Sequence, residues 1–116
     1  MEKTGRFTRQ ERLRLSGDIR RVYKTGKKVG VEGAKLFVLE NAGQFNRIAF
    51  TLPRSYGNAV ERNRTKRLCR ESYRHQRGNL KSGYDIVFLT YKGYDTFQER
   101  SGQFCQLCEK AGLLRV

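Results

Sequence analysis

Gly57-Asn58-Ala59-Val60-Glu61-Arg62-Asn63-Arg64-Thr65-Lys66-Arg67-Leu68-Cys69-Arg70-Glu71-Ser72-Tyr73-Arg74 reads as the start and body of one long helix. No Gly or Pro interrupts residues 58–77. Asn58, or a residue beside it, can cap the first turn, because a side-chain oxygen there accepts from a free backbone amide. At about 100° per residue, Asn63, Lys66, Arg67, Arg70, Arg74 and Arg77 share an arc of roughly 100°. Thr65, Leu68, Cys69 and Ser72 fall on the opposite side, with Arg62 and Arg64 flanking, so charge and core are separated by face. The ordinary alternative is a solvated charged face. Residues 54–77, however, hold eight basic side chains against two acids, Glu61 and Glu71, too few for pairing along the helix to neutralise. The preponderance of Arg suits a polyanion, since a planar guanidinium can bridge two phosphate oxygens or stack on a base.

The whole chain has the same bias. Twenty-five Lys and Arg face eleven Asp and Glu, a net charge of +14 that opposes compaction unless a polyanion neutralises it. A phosphate backbone is the natural partner. An anionic membrane surface would also attract this charge, but the apolar run from Ile86 to Leu89 is far too short to span one. The opening Met1-Glu2-Lys3-Thr4-Gly5-Arg6 lacks a signal-type apolar segment, and a cytoplasmic location is expected. With 116 residues and 37% hydrophobic content, residues 1–116 form one domain around one core.

The three cysteines are an odd number, as expected for reduced thiols without a disulfide framework. Cys105-Gln106-Leu107-Cys108 has metal-ligand spacing, and Cys69 with His75 would complete a sketch of a zinc site. In a helix, however, residues three apart share a face, so buried small hydrophobes are the preferred reading and no protein-bound metal is expected.

Working outward, residues 1–11 are polar, basic and aperiodic, which predicts an extended or frayed arm. Ser16-Gly17-Asp18 can start a helix that Gly26 ends, with Ile19, Val22 and Tyr23 on its apolar side. Residues 27–33 suit a short irregular strand. Residues 34–40 and 47–52 are β-rich, and Asn41-Ala42-Gly43-Gln44 between them reads as a hairpin loop. Residues 84–91 are apolar for most of their length and predict a central strand with both faces covered. Residues 96–111 predict a last helix with Thr96 as cap, Glu99 three positions on, and Phe97, Phe104, Leu107 and Cys108 towards the core. The sum is an α+β sandwich of order α-β-β-β-α-β-α. If the third strand and the central one are parallel in one sheet, physical expectation makes their helical crossover right-handed.

Tyr23 and Phe37 are candidates for stacking unpaired bases, at roughly 1 to 3 kcal/mol each, with ordinary core packing an equal alternative. A self-sufficient nuclease needs clustered carboxylates for metals or a placed acid and base, and the acids here are scattered. Asp95 and Glu99 are four apart but sit where a helix start favours negative charge. His75 is the only histidine and lies among arginines, without an acid next to it in the chain to orient it, and it is not read as a catalytic base.

The stretch from Gly57 to Arg74, with Arg62-Asn63-Arg64 followed by Lys66-Arg67, closely resembles the signature helix of bacterial ribonuclease P protein subunits. The likeness extends from Arg12-Leu13 through Asp18-Ile19 and Val22-Tyr23 to the strand at Ile86 and the last helix. The resemblance implies a four-stranded sheet with a left-handed β-α-β crossover, as in a ribosomal-protein-like fold, in place of the right-handed default. It implies that no residue of the protein is catalytic. It further implies that a large RNA partner cuts precursor tRNA at the mature 5′ end with magnesium-activated water, with Mg2+ used through RNA and substrate and none expected to be held tightly by the protein alone. Carried over by motif, Arg62, Asn63, Arg64, Lys66, Arg67 and Arg70, with Arg74 on the same face, are expected to meet RNA. Ile19, Tyr23, Phe37 and Arg54 are expected to line a cleft for the single-stranded 5′ leader. Three residues depart from the resemblance: Ile19 where the family usually has Phe, Ser55 where it usually has a basic residue, and Thr65 where it usually has an aliphatic one. A ribosomal or other structural RNA-binding protein is the alternative, and a stand-alone nuclease a weaker one.

Overall fold

The computed structural model describes residues 6–115. Helix α1 (Ser16–Thr25) is followed by strands β1 (Lys27–Val31), β2 (Ala34–Glu40) and β3 (Arg47–Thr51), then helix α2 (Ala59–Gln76), strand β4 (Tyr84–Thr90) and helix α3 (Phe97–Ala111). The architecture is α+β, in the expected order. One four-stranded mixed sheet, ordered β1-β2-β4-β3, carries α1 on one face and α2 with α3 on the other.

β4 dictates that order. Asp85, Ile86, Val87, Phe88 and Thr90 are all buried. Ile86 and Phe88 join Leu36, Val38, Ile48, Cys69, Tyr73 and Phe104 in the larger core, under α2 and α3. Val87 joins Phe37, Ala49, Leu13 and Val22 beneath α1. A strand apolar on both sides must be covered on both sides, and it takes an interior place. It pairs antiparallel with β2 and parallel with β3, the latter through the α2 crossover.

The expected hairpin between the second and third strands is therefore not formed, because β4 lies between them. Their connection instead arches over the start of β4. Asn41 N donates to Gly83 O (2.9 Å), Asn46 Nδ2 to Lys81 O (2.7 Å), and Tyr84 N to Asn46 Oδ1 (2.9 Å). The hairpin belongs to β1 and β2, which pair from Lys27↔Val38 to Val31↔Ala34. Beneath the arch, buried Asp85 accepts two hydrogen bonds from Arg47, at 2.8 and 2.7 Å, and one from Asn41 at 2.9 Å.

Helix ends follow the predicted capping chemistry in two cases of three. Asn58 accepts from Glu61 N, Thr96 accepts from Glu99 N, and both glutamates reach back to form capping boxes. In α1 the expected cap is not used: Leu15 holds the cap position, and Asp18 pairs instead with Arg21 and lies 3.7 Å from Arg47. Gly26 ends α1 by close approach rather than by a left-handed turn, since a Cβ there would stand 2.6 Å from Val22 O and 2.8 Å from Val38 O.

The first five residues of the expected arm lie outside the described residues. Residues 6–11 are docked, not frayed. Arg9–Glu11 forms a 3-10 turn, and Phe7 lies 5.7 Å, centroid to centroid, from both Phe50 and Tyr73. Glu11 accepts from Arg77 Nη1 at 2.6 and 2.8 Å and from Tyr73 OH at 2.7 Å. Just beyond, Leu13 N donates to Ile48 O (3.0 Å), so the segment covers the outer edge of β3. These anchors are side chains meeting distant partners, and they leave no local periodicity to read.

Burial raises the Glu11 carboxyl pKa, but hydrogen bonds from the Thr8 backbone, Arg77 and Tyr73, with the Arg77 charge, outweigh it and hold the group below its ordinary 4.5. A depressed folded-state value contributes stability above 4.5 that is lost as pH falls through it and below. The stability gap between the unaltered protein and Glu11→Gln, from urea unfolding, should be constant near neutrality and narrow below about pH 4.5. A gap independent of pH down to pH ~3 would show that the carboxylate does not anchor this segment.

Candidate nucleic-acid interface

The faces of α2 separate as the sequence requires. Thr65, Cys69, Ser72 and Tyr73 are buried, Asn63, Arg64 and Arg67 are exposed, and Lys66, Arg70 and Arg74 are half-buried. The two acids of the helix leave most of the arc unneutralised. The Glu61 carboxylate folds back over Gly57, where a Cβ would stand 2.2 Å from Oε1 at a φ of +153°, so the capping box requires glycine at that position. It also lies 3.8 Å from Lys92 Nζ, while Glu71 pairs with Arg74.

Arg62 is placed differently from its neighbours. Its Nη1 donates to Pro53 O (2.8 Å) and Arg54 O (3.3 Å), fastening the turn that enters α2. Thr65, which stands where the family usually has an aliphatic residue, donates to Tyr56 OH at 2.8 Å, and that phenol accepts from buried Arg100 at 3.0 Å. An aliphatic side chain at residue 65 could not make this bond.

On the opposite sheet face, the Tyr23 and Phe37 rings meet nearly at right angles, 4.7 Å apart, and Tyr23 OH shares a 2.8 Å hydrogen bond with Thr51 Oγ1. Phe37 is only 8% exposed and Tyr23 38%, so Tyr23 is the ring open to a ligand and Phe37 supports it. Ile19 packs on the same cluster. Arg54 is exposed on the turn before α2 and is not among the residues that line the groove beside Ile19. That groove, of about 310 Å3, brings together Ile19, Thr51, Phe50 and Arg70 with Arg12 and Arg14. Arg70 thus links the outer face of α2 to the α1 side of the sheet. Arg12 and Arg14 were missed as site residues because the basic amino-terminal stretch has no periodicity; their signal is the docking of that segment against β3. Register places Lys28 opposite Phe37 and Lys35 opposite Leu89, adding two cations to this face.

The Ribonuclease P family model matches residues 7–112. The chain belongs to the ribonuclease P family. It is 36% identical over 105 residues to the ribonuclease P protein component of Natranaerobius thermophilus, covering 89% of this chain and 91% of that one. It is 44% identical over 78 residues to that of Alkaliphilus oremlandii, covering 67% and 68%. Among solved structures, the Thermotoga maritima RNase P protein aligns with a TM-score of 0.78 at 28% identity, covering 86% of this chain and 96% of that one. The Staphylococcus aureus RNase P protein shares the fold, with a TM-score of 0.81 at 21% identity over 90% and 98% of the two chains. Membership carries the coarse role: an RNA-binding protein component of a tRNA-processing endoribonuclease, partnered with the ribonuclease P RNA. No helix among the described residues is long and apolar enough to cross a membrane.

The cysteines belong to packing. Cys69 and Cys108 are buried in the core, and Cys105 is half-buried. Burial pushes the Cys69 thiol up to about 11 despite its contact with Thr90 and the nearby Arg100 and Arg70 charges, and burial also raises Cys108. His75 lies 5.1 Å from the Phe97 ring, across the α2–α3 contact. Among the described residues, no group of three or more His, Cys, Asp or Glu side chains is placed to hold a metal ion. A thiol reagent applied to the native protein at neutral pH should modify Cys105 first, with Cys69 and Cys108 reacting only on unfolding. Rapid native modification of Cys69 would contradict the packing described.

Proposed function

We propose that this protein grips two RNAs at once. The outer face of α2, through Asn63, Arg64, Lys66, Arg67, Arg70 and Arg74, docks on the catalytic RNA of ribonuclease P. The face built on α1 and the sheet, through Ile19, Tyr23 and Arg54 with Phe37 beneath, receives the single-stranded 5′ leader of precursor tRNA. Arg62 contributes by holding the turn that carries Arg54. The reading rests on one observation above others: a largely unneutralised arginine arc meets, at Arg70, a groove lined by Ile19 and by Thr51, whose hydroxyl shares a hydrogen bond with the exposed Tyr23.

Cleavage itself is assigned to the RNA. Glu11, Glu61, Glu71, Asp85 and Glu99 are engaged in caps or ion pairs, and among the described residues no three His, Cys, Asp or Glu side chains cluster as a ligand set for a cation. Magnesium, held by RNA and substrate, would supply the activated water and stabilise charge on the scissile phosphate. What this chain supplies is positioning, by phosphate contacts along α2 and by stacking of an unpaired base on Tyr23. The leader is removed in the cytoplasm to give the mature 5′ end.

The purified protein should leave precursor tRNA intact, yet restore 5′ cleavage by a bacterial ribonuclease P RNA at low magnesium. Cleavage by the protein alone would reassign it as a nuclease, and no effect on the RNA would favour a structural RNA-binding role. Arg67→Ala with Arg70→Ala should weaken catalytic-RNA binding roughly tenfold or more, for charge-assisted bonds of about 1.5 to 3 kcal/mol. The same pair should flatten the salt dependence, since fewer counterions are released. Tyr23→Ala should weaken binding of leader-bearing but not leaderless substrate, by roughly five- to tenfold, with little change in that slope. Equal effects of both changes on the two substrates would refute the division of labour.

A further inference from the structure

Four large hydrophobic side chains are notably exposed among the described residues: Leu15, Tyr23, Phe45 and Val60. A lone exposed hydrophobe needs no explanation, but the surroundings of Phe45 set it apart. Its ring is 57% exposed and edges a hollow of about 550 Å3, rimmed by Arg6, Arg77 and Arg115 and floored by Tyr73 and Leu80. That volume lies within the roughly 300 to 1,000 Å3 usual for ligand sites. The hollow is not the groove that joins Ile19 to Arg70; it shares no lining residue with it.

The loop that presents Phe45 is pinned on both sides of the ring. Asn41 Nδ2 donates to Phe45 O at 3.1 Å, and Gly43 N donates to Asn41 Oδ1 at 2.7 Å. The next residue, Asn46, uses both ends of its amide to bind the chain entering β4. An aromatic held outward on a fixed backbone loses little conformational freedom when a ligand stacks on it. The charge nearby has one sign. Glu11 is the one acid among the lining residues, and Arg77 and Tyr73 already engage it. Arg77 also lies on the same arc as Arg70 and Arg74, so the basic face of α2 runs past the helix end into this hollow.

We propose that the Phe45 hollow is a second site for single-stranded RNA, taking one unpaired nucleotide of the catalytic RNA or of the precursor tRNA bound to it. Its base stacks on the Phe45 ring, and its flanking phosphates meet the guanidinium groups of Arg6 and Arg115. Arg115 is steadied for this by its Nε bond to Leu80 O, at 3.1 Å. Aromatic rings interleaved with arginines are the chemistry that holds unpaired nucleotides irrespective of sequence. The inference rests on the RNA-binding role proposed above and extends it to a surface on the far side of the docked amino-terminal segment.

The test uses the full chain with a bacterial ribonuclease P RNA transcript, and separately with a leader-bearing precursor tRNA in the assembled holoenzyme. Phe45→Ala should weaken one of these interactions roughly 5- to 150-fold, the fold-change equivalent of about 1 to 3 kcal/mol for a stacked base. The salt slope and the thermal midpoint should be unchanged, and which arm responds identifies the RNA. Phe45→Tyr should bind within about twofold of the unaltered protein, because the ring face is kept. Arg6→Ala with Arg115→Ala should reduce the salt slope by roughly one to two. A photo-reactive benzoylphenylalanine at residue 45 should crosslink to an unpaired nucleotide. The proposal is overturned if Phe45→Ala binds both RNAs like the unaltered protein while Arg67→Ala with Arg70→Ala weakens binding. It is overturned equally if Phe45→Tyr fails as badly as Phe45→Ala, or if the crosslink falls on protein or on paired RNA. If the α2 variant also binds normally, the RNA-docking role itself fails, which is a different result.

Discussion

Arg100 is completely buried in a chain of net charge +14, and among the described residues no carboxylate pairs with it. Desolvating such a charge costs several kcal/mol unless polar partners replace the water. Its partners are neutral oxygens: Gln103 Oε1 at 2.9 Å, Tyr56 OH at 3.0 Å, Tyr91 O at 2.6 Å and Gly33 O at 3.4 Å. Each comes from a different part of the fold. They lie on α3, on the turn before α2, just past β4, and in the β1–β2 hairpin. The guanidinium therefore ties the crossover to the sheet and the last helix at the point where α2 begins. Thr65 extends the link into α2 through the same Tyr56 phenol. The orientation of the basic arc depends on this network, because α2 can present one face outward only if its entry and its buried face are both fixed.

With that helix fixed, the electrostatics follow from where the acids are used. Glu61 closes a capping box, Glu71 pairs with Arg74, Glu11 holds Arg77, and Asp85 holds Arg47. Glu61, Glu11 and Asp85 thereby secure a helix end, a docked segment and a loop, and the chain's eleven acids are in any case outnumbered by twenty-five Lys and Arg. The same residues that stabilise the fold locally thus leave the surface strongly positive, which suits a protein whose partner is a polyanion. The surplus adds self-repulsion to the free chain, and neutralisation by RNA removes it. In the proposed role α2 serves as a docking element, because it carries charge, hydrogen-bond donors and a rigid axis.

Much of this was legible from residue order. Amphipathic spacing gave α2 its buried and exposed sides, Asn58 and Thr96 marked two helix starts, and the apolar run at Ile86 marked the central strand. These features depend on neighbours within one or two turns, or on alternation along one strand, so composition and period determine them. The arginine-rich arc, and with it the class of partner, was equally a local property.

What the tertiary structure decided is everything that turns on residues far apart in the chain. Strand order belongs here: β4 enters between β2 and β3 because its two apolar faces need cover on both sides, and the connecting loop was too local a feature to reveal it. So do the docking of residues 6–14, the diversion of Arg62 to the Pro53 turn, the support of Thr65 by Tyr56, and the meeting of Arg12, Arg14 and Arg70 at one groove. Each is a long-range contact between side chains that share no period, so no window of sequence contains both partners. The residue types on α2 made its outer face basic, a property of near neighbours; only the packing of the other elements brought Arg12 and Arg14 to Arg70, because residues so far apart in the chain share no period.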